Sequence, residues 1–161
     1  MRRDEPLLVY ETHVASEWID DNGHMNDAAY AVVFSRAVDA LMDRIGLDAA
    51  QRRSSRRTLF TTQMLMRYFA EAHLGEALAV RCRLLEHDEK RLRLWLSLSG
   101  PGGAELATCE QALLSIDRSE AAPHAADWRA ETRAALDALA RAHGRLEAHP
   151  LAGRGVTMLR A

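Results

Sequence analysis

The chain has 161 residues, a formal net charge of −2 and two cysteines. This length suits one compact domain, and the near-neutral charge argues against nucleic acid as the main partner, because binding a phosphate lattice needs a broad excess of Lys and Arg. No apolar run is long enough to span a bilayer and none follows Met1 as a signal peptide would, so we predict a cytoplasmic protein without a membrane partner. Cys82 and Cys109 have no paired spacing, which predicts two buried thiols and no disulfide framework.

The N-terminal part of the chain predicts a strand, a polar turn and a long helix. Residues 7–15 are extended and partly apolar, as is typical of a strand. After the turn, apolar side chains recur at helical spacing up to Ile45, with Asn26 or Asp27 as the N-cap and Gly46 as the C-terminal stop. We interpret residues 48–57 as a polar connection.

Four strands and a second helix are predicted in the remainder of the chain. The clearest alternation of apolar and polar side chains runs from Lys90 to Ser99, and the short turns between successive strands require antiparallel pairing. An amphipathic pattern predicts a helix from about Asp127 to His143, and Pro150 with two later glycines predicts a loose tail from Glu147 onward. The four strands are predicted at residues 59–71, 77–86, 90–99 and 105–117.

This order of elements predicts an α+β fold in which a long central helix is wrapped by a curved antiparallel five-stranded sheet, with an added C-terminal helix. A ferredoxin-like domain would need a second helix between strands, and none is visible before residue 118. We interpret residues 1–161 as a single domain, with its core at about 7–117 and a helix and tail at 118–161.

The turn between the first strand and the long helix is the densest cluster of functional side chains. Two carboxylates, two amides and an imidazole fall between Asp20 and Asn26. Gly23 lies among them, where the backbone needs either a positive φ or room for a ligand. The N-terminus of the helix points at this cluster, so its free N–H groups can meet a negative charge or a developing oxyanion.

The pattern Asp20-x-x-Gly23-His24-x-Asn26, in this position, resembles the motif of hotdog-fold acyl-CoA thioesterases of the 4-hydroxybenzoyl-CoA thioesterase type. Over residues 18–26 it looks more narrowly like betainyl-CoA thioesterases, and residues 67–76 are similar to the ending of that family's second strand. The resemblance implies a hydrolase of acyl-CoA thioesters that needs no cofactor. It also implies a homodimer, or a dimer of dimers, with active sites at the subunit boundary.

The resemblance assigns catalysis to Asp20, as general base or as nucleophile through an anhydride. The residues alone leave a second interpretation open, in which Asp20 caps its own turn. His24 either contacts the substrate carbonyl or positions a water, or else anchors the loop. Asn26 either holds the water or caps the helix. Backbone N–H groups near Gly23 and the helix start are the expected oxyanion donors.

Substrate binding is predicted for Trp18, Gly23, Tyr30 and Arg67. If the acyl group is a quaternary ammonium, it needs aromatic faces or a carboxylate, and Trp18 and Tyr30 flank the turn. Arg67 is a candidate for the phosphates of coenzyme A, as is the arginine-rich run at residues 52–57. The alternative for that run is a solvated charged loop.

The histidines show no ligand spacing for a metal, and no glycine-rich phosphate loop follows a strand. Two other functions stay open at this point. A hotdog enoyl-CoA hydratase or dehydratase would use an Asp/His pair for proton transfer, but Gly23 stands where that pattern has a proline before the histidine. A non-catalytic acyl-CoA-binding protein would keep the pocket and tolerate loss of Asp20.

Overall fold

A computed structural model describes residues 5–156 and residue 158 of the chain, with three helices and six strands among them. In chain order these are β1 (Leu7–His13), α1 (Asp27–Arg44), α2 (Ala49–Ser55), β2 (Arg57–Tyr68), β3 (Ala77–His87), β4 (Arg91–Ser99), β5 (Glu105–Asp117), β6 (His124–Ala125) and α3 (Ala130–His143).

The long helix α1 begins and ends where the sequence predicts. The side chain of Asn26 is the N-cap and accepts a hydrogen bond from the Ala28 N–H at 2.9 Å. Gly46, just after the helix, has a φ of +78°, a left-handed conformation that favours glycine. Both predictions are confirmed, and they fix the direction in which α1 leaves the polar turn.

The sheet has the order β1-β3-β4-β5-β2 with antiparallel pairing throughout, and α1 packs on one of its faces. Phe34 and Leu41 of α1 are buried, as are the four alternating leucines of β4 from Leu92 to Leu98. The predicted helix wrapped by five antiparallel strands is therefore confirmed. The two-residue β6, which pairs with β5, adds a sixth strand that the sequence pattern did not indicate.

Residues 48–57 contain the short helix α2, so their interpretation as a plain polar connection is wrong. The Asp48 side chain accepts hydrogen bonds from the N–H groups of Ala50 and Gln51 at 2.8 and 2.9 Å. These two bonds satisfy donors that the first turn of a helix otherwise leaves free. The helix ends at Ser55 and is followed by Arg56, which has a left-handed φ of +58°.

The face of the sheet opposite α1 is covered by the C-terminal tail. His149 stacks on Trp95 with ring centroids 4.5 Å apart, and the Gly153 N–H donates to the buried Glu110 carboxylate at 2.9 Å. The expectation of a loose tail is therefore wrong for residues 147–156. The buried Glu110 carboxylate also pairs with the Arg93 guanidinium of β4, so the tail adds a second partner to this carboxylate and a stacked ring to Trp95.

The two edges of the sheet differ. β1 has seven residues, and its register with β3 shifts between Leu8 and Tyr10. β2 has twelve residues, pairs with β5 on one side, and carries the exposed side chains of Met64 and Tyr68. Within the described residues, no helix combines the length and apolarity needed to cross a membrane.

Candidate active site

The polar turn between β1 and α1 is closed by its own backbone. Ile19 and Met25 form an isolated antiparallel bridge. Inside that bridge the Asp20 N–H donates to the His24 carbonyl at 3.1 Å, and the Gly23 N–H donates to the Asp20 carbonyl at 3.0 Å. Residues 20–24 therefore form a tight loop whose ends are held together.

Gly23 is required by the backbone conformation of this loop. Its φ is +82°, and no atom lies within 4 Å of the position that a Cβ would occupy. The sequence suggested either a positive φ or room for a ligand at Gly23, and the structure shows the positive φ.

Two further hydrogen bonds fix the loop to the rest of the protein. The Met25 N–H donates to the Ala72 carbonyl and the Asn26 N–H to the Trp18 carbonyl, both at 2.8 Å. The Met25 side chain is buried in the core. The loop is thus anchored beside the segment that follows β2.

Asp20 is held as a carboxylate by its neighbours. One oxygen accepts the Asn22 N–H at 2.8 Å and the other lies 3.4 Å from the amide nitrogen of Asn26. The hydrogen bond from the Asn22 backbone, assisted by the Asn26 amide and the nearby His24 ring, lowers the pKa of Asp20 below its ordinary value. Asp20 is therefore an anion at neutral pH, and its side chain is only partly buried.

Asn26 has two roles at once. Its side-chain oxygen caps α1, and its amide nitrogen faces Asp20. This double use explains why an Asn at this position suits the site, since an Asp would cap the helix equally well but has no amide to donate.

His24 is partly buried beside Asp20. Its Nδ1 lies 3.4 Å from the Met25 carbonyl, and its Nε2 lies 3.9 Å from the Glu71 carboxylate. An imidazole that donates through Nδ1 keeps the lone pair of Nε2 available as an acceptor. Glu71 also lies 3.9 Å from His73, and these two side chains are solvent-exposed.

The turn leaves few backbone N–H groups for a ligand. Within the described part of the turn, those of Asp21, His24 and Asp27 have no hydrogen-bond acceptor. Asp27 is the first residue of α1, so its N–H lies at the positive end of the helix dipole. The other N–H groups of the turn that have acceptors are those of Asp20, Asn22, Gly23, Met25 and Asn26.

Aromatic side chains lie at the start of α1. Trp18 is half-buried against the core, and Tyr30 is buried with its hydroxyl donating to the Ala70 carbonyl at 3.2 Å. Tyr68, at the end of β2, meets Tyr30 edge to face at 5.3 Å and donates to the Asp27 carbonyl at 3.3 Å. Burial raises the pKa of Tyr68, as does the Asp27 carboxylate, so its hydroxyl stays protonated.

Tyr68 is the member of this site that the sequence did not single out. It is 46% exposed, whereas Tyr30 is 3% exposed, so Tyr68 presents the accessible ring. Tyr68 is 42 residues beyond Asn26 in the chain, and only the pairing of β2 in the sheet brings it to the start of α1. A periodic pattern in one strand cannot reveal that approach.

Arg67 is not brought to the Asp20 turn. Its guanidinium donates to the Arg154 carbonyl at 3.0 Å, among the residues of the tail that cover the opposite face of the sheet. Gly23, His24 and Asn26 do lie beside Asp20, the Trp18 carbonyl accepts the Asn26 N–H, and Tyr30 lies in the first turn of α1, where it contacts Tyr68. Among the described residues, no group of three or more His, Cys, Asp or Glu side chains could hold a metal ion.

Known proteins similar to this chain point to one family. Residues 14–136 match the thioesterase-like superfamily. The chain is 44% identical over 149 residues to a betainyl-CoA thioesterase of Pseudomonas aeruginosa, covering 92% of each chain. It is 35% identical over 156 residues to a Rhizobium meliloti L-carnitine dehydrogenase/betainyl-CoA thioesterase, of which it spans 30% of the length.

Solved structures agree with this match. A protein of Staphylococcus aureus in complex with CoA superposes with a TM-score of 0.83 at 26% identity, over 96% of this chain and 97% of that one. A candidate thioesterase of Pseudomonas putida superposes with a TM-score of 0.80 at 35% identity, over 97% and 99%. The predicted hotdog fold is confirmed, and the chain belongs to the thioesterase-like superfamily.

Proposed function

We propose that this protein is an acyl-CoA thioesterase that hydrolyses betainyl-CoA to the free acid and coenzyme A. The observation that carries the proposal is the 44% identity to a betainyl-CoA thioesterase over 92% of both chains. The ionised Asp20 in the turn before α1 supplies the chemistry that such a reaction needs. Both curated relatives named above carry thioesterase in their names, which favours hydrolysis over hydration and over binding alone.

Hydrolysis begins with addition to the thioester carbon. In one route the Asp20 carboxylate takes a proton from the attacking water and passes it to the sulfur as the C–S bond breaks. In the other route the carboxylate attacks the carbon itself to form an anhydride, and the sulfur leaves as a thiolate that takes its proton from water. The Asp27 N–H, at the start of α1, is the proposed donor to the carbonyl oxygen as that oxygen gains charge. His24 positions the water or the carbonyl through Nε2.

The two routes leave different traces in labelled water. In a single turnover in H₂¹⁸O, label in the Asp20 side chain is diagnostic of attack by Asp20, because it requires water to add to the Asp20 carbon of the anhydride. Label in the released acid alone fits general-base action and also fits addition of water to the acyl carbon of the anhydride.

A cationic acyl group fits the aromatic side chains at this site. A trimethylammonium group cannot donate N–H hydrogen bonds and is held best by ring faces. Trp18 lies two residues before Asp20, and the exposed Tyr68 ring lies at the first turn of α1. We assign Trp18 and Tyr68 to the acyl pocket. The buried Tyr30 positions the Tyr68 ring through its edge-to-face contact.

The protein is proposed to act as a homodimer joined through β2. The outer side of this twelve-residue strand is an edge of the sheet, and exposed apolar side chains lie along it and beside it. Antiparallel pairing of two such edges would continue one sheet into the next and cover these side chains. Tyr68 would then lie at the subunit boundary. The apolar side chains concerned are Val32, Phe60, Met64, Tyr68 and Phe69.

A cytoplasmic location is also proposed. Cys82 and Cys109 are buried and free, which suits a reducing compartment.

The test of the activity is thiol release from a panel of acyl-CoAs that includes betainyl-CoA and short-chain, long-chain and aromatic esters. We expect the highest kcat/KM with betainyl-CoA, and a loss of about 100-fold or more in kcat in Asp20→Asn, since that variant keeps the shape but has no carboxylate. Asp21→Asn is the matched control, because Asp21 is the exposed neighbour. Equal turnover by both variants, or no thiol release from any ester by the unmodified protein, would reject the proposal.

A further inference from the structure

Glu71 is an exposed carboxylate beside the Asp20 turn, and the proposed mechanism makes no use of it. It lies in the segment between β2 and β3, three residues beyond Tyr68. Its carboxylate lies 3.9 Å from the Nε2 atom of His24 and 3.9 Å from that of His73. A charged side chain at this place can favour substrates of the opposite charge.

The backbone is fixed on both sides of Glu71. The Tyr30 hydroxyl donates to the Ala70 carbonyl at 3.2 Å, and the Met25 N–H donates to the Ala72 carbonyl at 2.8 Å. The side chain of Ala72 is buried in the core. Glu71 is therefore held between the first turn of α1 and the polar turn, which makes its position a feature of the fold.

The charge of Glu71 lies close to the aromatic side chains at the start of α1. Burial raises the pKa of Tyr30, and the nearby Glu71 carboxylate also raises it. The Tyr30 ring meets the accessible Tyr68 ring edge to face at 5.3 Å. The fold thus brings a negative charge and an accessible ring together at one end of α1.

The Glu71 carboxylate is free to meet a cation, unlike three of its neighbours. Each of those three carboxylates accepts a backbone N–H at 2.8–3.0 Å, and they are Asp20, Asp27 and Glu76. Among the described residues, the Glu71 carboxylate accepts no hydrogen bond, and its charged neighbours are the two histidines. A histidine is charged only when it is protonated, so neither one supplies a permanent positive charge.

A quaternary ammonium group suits this combination of a free carboxylate and ring faces. It has no N–H to donate, so a carboxylate attracts it through charge alone and needs no particular hydrogen-bond geometry. A tert-butyl group has nearly the same shape without the charge. Ring faces can cover the methyl groups of either one, whereas the carboxylate attracts only the cation.

We propose that Glu71 is the residue that selects a cationic acyl group at this site. The inference rests on the proposed thioesterase function and names the side chain that sets its charge preference. Trp18 and Tyr68 cover the methyl groups, and the Glu71 carboxylate supplies the counter-charge. Glu71 takes no part in bond breaking, which stays with Asp20, so it determines specificity and does no chemistry.

The first test compares two esters that differ only in charge, betainyl-CoA and tert-butylacetyl-CoA. Glu71→Gln keeps the shape of the side chain and removes its charge. We expect the ratio of the kcat/KM values, betainyl-CoA over tert-butylacetyl-CoA, to fall about 5- to 30-fold in this variant, because the attraction acts on one ester alone. Asp21→Asn is the matched control, since it removes one negative charge from an exposed position of the adjacent turn and should leave the ratio in place.

The same ratio separates selection by Glu71 from a purely structural role. If Glu71 only holds His24 in place, its loss slows both esters alike and the ratio stays constant, which would overturn the inference. Glu71→Asp keeps the charge, so its ratio should stay within about threefold of that of the unmodified protein. A ratio as low in Glu71→Asp as in Glu71→Gln would also count against selection by charge.

Binding of unreactive analogues keeps the inference independent of turnover. The trimethylammonioethyl and tert-butylethyl thioethers of coenzyme A have no carbonyl to hydrolyse and differ only in charge. Calorimetry should show that the cationic thioether binds more tightly to the unmodified protein, and that Glu71→Gln reduces this preference about fivefold or more. No preference in the unmodified protein, or an equal preference in the variant, would overturn the inference.

The two measurements also tell the failure of one proposal from the failure of the other. If the protein releases no thiol from betainyl-CoA but prefers the cationic thioether through Glu71, the proposed activity fails and the charge selection stands. If betainyl-CoA is hydrolysed with the same ratio in Glu71→Gln as in the unmodified protein, the activity stands and the role of Glu71 is rejected.

Discussion

The ionisation of the Asp20 carboxylate is favoured by side chains and backbone within six residues of it. The Asn22 N–H and the Asn26 amide donate to it, and the His24 ring adds a favourable field. All three favour the anion, so the pKa of Asp20 is lowered. A base or nucleophile that must be ionised therefore keeps working to a lower pH than an aspartate with an ordinary pKa would.

Asn26→Asp tests this arrangement with little change of shape. The new carboxylate still caps α1 but replaces a donor to Asp20 with a negative charge, and both changes raise the pKa of Asp20. The acid limb of the kcat/KM profile should move to higher pH by roughly one unit or more. A profile of kcat/KM from low to neutral pH checks this, with Asp21→Asn as the variant that should leave the limb in place. An acid limb at the same pH in Asn26→Asp would show that another group controls it.

The two cysteines give a second prediction at this scale. Burial raises the pKa of Cys82 and of Cys109 to about 12, so neither thiol ionises near neutral pH. The thiolate is the reactive form. A thiol-specific disulfide reagent should therefore modify neither cysteine in the folded protein at pH 8 and both in guanidinium chloride. Rapid modification of the native protein would contradict the burial of the two side chains.

Among the elements, α3 contacts the end of β3 that lies beyond the first residue of β1. β1 begins at Leu7, which pairs with Cys82, so β3 extends beyond it. The Leu84 N–H on that uncovered stretch donates to the Nδ1 of His143 in α3 at 2.9 Å. Burial and the nearby Arg83 lower the pKa of His143, so the ring is neutral and can accept this hydrogen bond.

This contact predicts a dependence of stability on pH. The unfolded chain protonates His143 near pH ~6.5, and the folded chain does so only at lower pH. The stabilising contribution is therefore complete above about pH 6.5 and is lost as pH falls through the lowered pKa of the folded protein. His143→Leu should cost about 1–3 kcal/mol at pH 8, because it leaves the buried Leu84 N–H without an acceptor, and it should weaken the loss of stability in acid.

Urea unfolding at pH 8 and pH ~5.5 provides the measurement. His13→Gln, at an exposed histidine of β1, is the comparison that should keep the acid loss. If His143→Leu loses as much stability between the two pH values as the unmodified protein, the titration belongs to another group.

Local patterns predicted the elements whose signals are contained in a short stretch. The wide apolar stripe of α1, its cap at Asn26 and the alternating leucines of β4 all lie within a few residues of one another. The covering of the outer face by residues 147–156 could not be predicted in this way. It depends on Trp95 and Glu110, which lie about 40 residues or more earlier in the chain. α2 had a local signal, the cap at Asp48, but its seven residues are too few for a helical period to show.

The residues of the candidate site also divide into those that a local motif predicts and those that depend on the sheet. Asp20, His24 and Asn26 lie in one turn, so a single motif indicates them together. Tyr68 reaches the start of α1 only through the pairing of β2 in the sheet, and Arg67 is turned away by the alternation of side chains along the same strand. The spacing of residues in the sequence does not show which of two adjacent strand residues faces the helix. That becomes known only with the register of the strand in the sheet.

For the whole molecule, the proposed dimer should respond to charge on β2. Met64 is 40% exposed on this edge strand, and Met64→Glu would place two like charges near the two-fold axis. We expect the variant to shift from dimer to monomer at micromolar concentration, as measured by sedimentation equilibrium, and to lose activity in parallel. Ala134→Glu adds the same charge at an exposed position of α3 and should remain dimeric. A Met64→Glu protein that stays dimeric would place the interface elsewhere.

The unlike edges of the sheet have a consequence for how far assembly can go. A chain with two equivalent open edges can add copies at either side and grow into a fibre. Here β1 is short and its register is broken between Leu8 and Tyr10, whereas β2 is long and carries the apolar side chains. In the proposed dimer, self-complementary pairing would use both β2 strands and leave only the two irregular β1 strands outside. The same asymmetry that selects one partner would thus also end polymerisation, so the concentration of the protein could rise without the sheet extending beyond two subunits.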